Sequence, residues 1–115
     1  MTISDIAATT QLSIHTLRYY EKIGLLGKIA RSHAGHRQYT QKDLDWLNWI
    51  QRLKSTGMSL EKIKLFAELR KKGKQSFPAR QKMLTEHAHA LKNNIAHLQQ
   101  ELDIVEYKIA AYSNA

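Results

Sequence analysis

Between Ser13 and Lys22 the chain gathers His15, Thr16, Arg18, Tyr19, Tyr20 and Lys22. These are donors, cations and rings, the groups that read base edges and hold phosphates. His15 and Thr16 come early in this stretch and, with Arg18, are the base-contact candidates. The Arg18 fork suits the two acceptors of guanine. Tyr19 suits a phosphate, its hydroxyl donating while its ring packs on sugar. Tyr20 belongs to the same set, but it is the ring that best fits the core, with its hydroxyl left wet. Lys22 and Lys28 read equally well as solvated charge. A second basic and aromatic group follows at Arg31, Arg37 and Tyr39, around Gly35. Further on, Ser59 caps a helix whose first amides can take another phosphate.

Each of these groups needs an element to aim it. Thr2 with Asp5 makes a capping box for a short helix whose inner face is Ile3, Ile6 and Ala7. That helix breaks near Gln11. Ser13 caps the next one, which runs to about Ile23 and stops at Gly24. Two short helices so close, the second basic outside, predict a helix-turn-helix over about residues 3–23. The β-prone Ile29 and Tyr39 with Gly35 between them predict a hairpin, a basic wing, over about 25–39. Thr40 with Asp43 opens a third helix with Leu44, Leu47, Ile50 and Leu53 on one stripe. Trp46 and Trp49 cannot share that stripe, so one is core and the other exposed or in a dimer interface. Leu60, Ile63, Phe66, Ala67 and Arg70 share one side of the Ser59 helix, and residues 71–74 read as a polar linker.

Charge divides the chain in the same place. Residues 1–75 hold 14 Lys and Arg against 6 Asp and Glu, which accounts for the whole net charge of +8. Residues 76–115 hold 4 of each and are neutral. That asymmetry expects a nucleic-acid-binding domain over 1–75 and a different element over 76–115, although charge alone leaves a merely solvated basic surface open. In the neutral part Leu84, Ala88, Leu91, Ile95, Leu98, Leu102, Val105, Ile109 and Tyr112 recur at alternating steps of four and three. This heptad seam predicts a coiled coil along one long helix. A rod of that length needs a partner for its seam, and a second copy of the chain is the simplest. Packing back onto its own domain is the other reading.

The 115 residues suit one small domain and its appendage. The absence of Cys excludes disulfides, thiolate zinc, iron–sulfur sites and a thiol switch. No apolar run is long enough to span a bilayer, and no signal peptide is expected, so a cytoplasmic protein without membrane contact is the expectation. Six His remain as metal ligands, but His87 and His89 point apart on a helix and His97 lies two turns on, so no metal site and no cofactor are expected. No nucleophile–base pair, phosphate loop or carboxylate dyad points to an enzyme.

Taken in order, Leu17-Arg18-Tyr19-Tyr20-Glu21, Gly24-Leu25-Leu26, Arg37-x-Tyr39, Asp43-Leu44 and Gly57-Met58-Ser59-Leu60 with Ile63 resemble the MerR family of bacterial transcription regulators. The resemblance covers essentially the whole chain. It implies a mainly α fold: a winged helix-turn-helix domain followed by a long coiled-coil helix that pairs antiparallel in a homodimer. It implies Arg37 and Tyr39 as phosphate clamps. It also implies a palindromic promoter site in double-stranded DNA, distortion of the spacer, and RNA polymerase as an indirect partner through the promoter. The family has Gly where this chain has Gln11, so the turn carries some strain. In length and in the stretch from Leu53 to Leu60 the chain looks most like the short aldehyde- and stress-responsive regulators. Arg52 stands where their sensing Cys would be, and arginine cannot act as a thiolate. The chain stops three residues after the seam, and no separate ligand domain is expected. The alternative function is a coiled-coil adaptor that holds nucleic acid without specificity.

Overall fold

The computed structural model covers residues 1–115. Helix α1 spans Ile3–Thr10 and α2 spans Ile14–Lys22. Both start where capping chemistry demands. The Thr2 hydroxyl accepts from the Asp5 amide at 3.1 Å, and the Asp5 carboxylate accepts from the Thr2 amide at 2.9 Å. The bond from the Thr2 amide, and after it the Thr2 hydroxyl, hold the Asp5 carboxyl below its usual value. Ser13 accepts from the Thr16 amide at 3.0 Å and donates to the Thr16 hydroxyl at 2.9 Å. Between the helices Gln11 adopts φ 61° and ψ 16°, the left-handed region, where no other non-glycine residue of the chain sits. The strain expected at this position is thus in the backbone itself. Gly24 takes φ 83° just past α2, so the Leu25 amide can reach back to the Tyr20 carbonyl at 2.9 Å.

The wing is small. Strand β1 is Ala30–Arg31 and β2 is Arg37–Gln38, paired antiparallel as Ala30 with Gln38 and Arg31 with Arg37. Gly35 at φ 83° turns the chain between them. Two backbone bonds extend the hairpin to the start of the chain: Tyr39 N–H donates to the Met1 carbonyl at 2.7 Å, and the Met1 nitrogen donates to the Tyr39 carbonyl at 3.0 Å.

Helix α3 is Gln41–Ser55 and α4 is Leu60–Lys71; a 3-10 turn at Gly73–Ser76 leads into α5, Phe77–Ser113. The core of the first unit, Met1–Arg80, is built from Ile6, Leu17, Leu25, Leu47, Ile50 and Ile63, all essentially inaccessible, with Phe66 and Trp46 around them. Of the two tryptophans Trp46 is core, at 6% exposure, and Trp49 is exposed, at 38%. Leu60 departs from its expected inner face and is exposed, because it is the first residue of α4 and its neighbour on that face, Ile63, fills the core. The unit also runs past residue 75. The Arg80 guanidinium donates to the Ser76 hydroxyl at 3.0 Å and to the Gly73 carbonyl at 3.1 Å, tying the first turn of α5 to the 3-10 turn.

The second unit, Gln81–Ala115, is the rest of α5. The whole helix has 37 residues, about 55 Å at 1.5 Å per residue. It starts with Pro78 in its first turn, where no amide is required. Ile95, Leu98, Leu102, Val105 and Ile109 of the heptad seam are exposed along it, Ala88 too, while Leu84 and Leu91 are half-buried. No helix of the chain is long and apolar enough to cross a membrane.

Replacing Gln11 by Gly should raise stability by about 1 kcal/mol, since glycine adopts positive φ without a Cβ clash. A shift of the urea midpoint to higher concentration is the expected reading, and an unchanged or lower midpoint contradicts strain at this turn.

Candidate nucleic-acid interface

Helix α2 buries Leu17 and Tyr20 and turns the rest of its surface outward. His15, Arg18, Tyr19 and Lys22 are exposed, and Thr16 is half-buried with its hydroxyl hydrogen bonded to Ser13. That division follows from helical spacing, since residues 17 and 20 share a face that 15, 18, 19 and 22 do not. A short surface helix with an exposed imidazole and guanidinium on its outer side can present both to the edges of bases.

Tyr20 is not on that outer side. Its side chain is 2% exposed, and its hydroxyl accepts from Lys54 Nζ of α3 at 2.9 Å. The ammonium lies 5.5 Å from the ring centre, beyond the hydroxyl and roughly in line with it, so the contact is a hydrogen bond and not a cation over a ring face. Tyr20 therefore leaves the set of contact residues and becomes the link between α2 and α3.

The wing residues divide in the same way. Arg31 is exposed, and one of its terminal nitrogens donates to the Gly35 carbonyl at 2.9 Å, bracing the turn. Arg37 is half-buried, and its Nε donates to the Glu21 carboxylate of α2. Tyr39 is 3% exposed, and its hydroxyl is buried with no hydrogen-bond partner. Its ring belongs to the core, so the phosphate-clamp role expected for it does not fit this placement. Burial pushes the Tyr39 phenol above its usual value, and the nearby Glu21 carboxylate pushes it further. Ser59 is exposed and caps α4, accepting from the Lys62 amide at 3.2 Å.

Arg18 of α2 and Arg37 of β2, nineteen positions apart in sequence, line one open groove of about 500 Å³. Thr2 and Ser4 at the start of α1 and His36 of the wing also line it, beside Ser32 and Gln38. None of these was among the sequence candidates. Thr2 was legible only as a helix cap; that the start of α1 lies against the wing depends on the backbone pairing of Met1 with Tyr39, which has no local signature. Two guanidiniums, an imidazole and three hydroxyls around an open groove make a receptor for an anion such as a backbone phosphate. Arg52, in the last turn of α3, is exposed. No three His, Asp or Glu side chains come together where they could hold a metal ion.

The orphan Tyr39 hydroxyl carries a testable consequence. Tyr39→Phe removes a buried polar group without a partner, which costs about 1–3 kcal/mol when left unsatisfied. Its thermal unfolding midpoint should rise or hold, and its affinity for DNA should stay within about twofold; a large loss of affinity would return Tyr39 to the contact surface.

Comparison with known proteins agrees on one family. The MerR HTH family regulatory protein model matches residues 1–69, and a MerR DNA-binding model matches residues 44–104. An HTH-type transcriptional regulator of Haemophilus influenzae is 41% identical over 114 residues, 99% of this chain and 84% of the relative. The HTH-type transcriptional regulator AdhR of Bacillus subtilis is 31% identical over 91 residues, 79% of this chain and 65% of the relative. Among solved structures, that of HiNmlR, a MerR family regulator lacking the sensor domain and bound to promoter DNA, superposes with a TM-score of 0.88 at 41% identity, covering 99% of this chain and 90% of that one. A MerR family transcriptional regulator from Listeria monocytogenes reaches a TM-score of 0.92 at 31% identity, over 98% and 86%. With both helices, the wing and the long terminal helix in place, the chain belongs to the MerR family of transcriptional regulators.

Proposed function

We propose that this regulator binds a palindromic promoter site as a homodimer, α2 reading bases and the wing holding phosphates, and that it distorts the promoter spacer so that RNA polymerase engages it. The observation that carries the reading is the groove in which Arg18 of α2 meets Arg37 of the wing, on a unit that holds the chain's whole positive excess. His15 and Arg18 supply base contacts, with Thr16 at the edge of the helix. Tyr19, Lys22, Arg31, Arg37 and the Ser59 cap supply backbone contacts. The relative solved on promoter DNA supports this assignment by its likeness over nearly the full chain. The exposed seam from Ile95 to Ile109 supports pairing through α5, because an apolar stripe of that length is stable only when a second helix covers it. The protein is a cytoplasmic regulator and not an enzyme. Its input does not run through cysteine, since the chain has none.

Three experiments test this. Gel shifts on a duplex from the chain's own promoter region, set against a scrambled duplex, should show preference for the first, with affinity falling steeply as salt rises. Neutralising Z phosphates gives a log–log slope near −0.9Z. A slope near zero contradicts the phosphate contacts. Arg18→Ala should cost about 1–3 kcal/mol of discrimination against a wrong base, and equal preference in variant and parent would remove it from base reading. Leu98→Glu places a charge in the middle of the seam and should give monomers in sedimentation, with promoter binding weakened at least about tenfold.

A further inference from the structure

One guanidinium of the groove that faces DNA in this reading, that of Arg37, is paired with an acid. Glu21 lies one turn beyond Arg18 on α2, on the same side of the helix, and its carboxylate accepts from Arg37 Nε at 2.5 Å. The two side chains are only 23% and 24% exposed. A carboxylate beside a surface that receives a polyanion works against affinity, so its presence points to another task. The wing shows what that task is. Its ladder holds only two residue pairs, which fix its strands to each other and not to α2. Tyr39 and Ile29 anchor its base in the core, and the Met1 pairing anchors its edge. The Glu21–Arg37 ion pair is what joins β2 to the recognition helix through side chains.

We propose that Glu21 is the positioning residue that sets discrimination between specific and non-specific DNA. It holds Arg37 through Nε, which leaves the terminal donors of the guanidinium for a phosphate. It thereby keeps the wing's phosphate contact in register with the bases that α2 reads. It also cancels one positive charge that would otherwise attract any phosphate. This rests on the assignment of α2 as the base reader and extends it to a residue that touches no base.

The test measures affinity for the own-promoter duplex and for a scrambled duplex across a salt series. Glu21→Gln should bind the scrambled duplex more tightly, by about threefold at low salt, and bind the promoter more weakly. The ratio should fall about tenfold, and the salt slope should steepen by about 0.9 for the guanidinium released. Glu21→Asp should restore part of the ratio. Arg37→Lys, which keeps the charge and loses the fork, should lower the ratio without tightening scrambled binding. Unfolding midpoints report that the variants fold. A ratio that survives in Glu21→Gln, or equal losses on both duplexes, overturns the proposal while leaving α2 as a reader. A parent protein that binds both duplexes equally overturns the reading of α2 itself, and this proposal with it.

Discussion

The first unit is organised around one indole. Trp46 of α3 donates its N–H to the Leu25 carbonyl at 2.7 Å, in the turn that leaves the recognition helix. Its ring stacks on Phe66 of α4 at 5.9 Å, with 12° between the planes, and Arg70 one turn on lies 4.3 Å from its centre. Burial there pulls the Arg70 guanidinium below its usual value. The turn after α2, helix α3 and helix α4 thus meet on a single side chain. Removing it would leave a cavity and a buried carbonyl without a donor, and each is a recognised cause of losses of a few kcal/mol. The direction of α2 depends on this contact, because Leu25 follows the helix by only three residues.

Two polar links then hold α2 from either side. Tyr20 takes Lys54 of α3, and its neighbour Glu21 takes Arg37 of β2. Adjacent residues on a helix point about 100° apart, so consecutive positions can serve different elements. A third link closes the other end. The Gln51 amide of α3 donates to the Thr10 carbonyl at 2.8 Å, at the C-terminal end of α1 where no helical donor remains. The Thr10 hydroxyl donates to the Ile6 carbonyl at 2.7 Å in the same place. With both helices clamped, the exposed side of α2 is free to carry its cations without contributing to the core.

The two units make opposite uses of apolar residues. In Met1–Arg80 they are consumed: Ile6, Leu17, Leu47, Ile50 and Ile63 are inaccessible. In Gln81–Ala115 they stay outside, and no residue of α5 is buried. The first pattern makes a small core. The second leaves an apolar seam from Ile95 to Ile109 exposed along a single helix, a stripe that a second surface must cover.

What was readable from residues alone was local or periodic. Capping boxes at Thr2 and Thr40, the Gly24 and Gly35 turns, the strained Gln11 and the heptad seam all follow from interactions within a few positions or from a repeat, and the structure places them as expected. The family motifs carried the order of the elements. Burial of rings and partners of charges were decided by the tertiary fold. Tyr20 reads as core from its place on the helix, and it is; Tyr39 looks like a surface aromatic beside an arginine, yet it is core too. Arg37 looks like a free cation, yet Glu21 claims it across sixteen positions. Thr2 and Ser4 entered the groove because the start of the chain pairs with the wing. The composition and period of a segment determine what it is; which distant side chain meets it depends on how the elements pack, and that is decided only when the whole core closes.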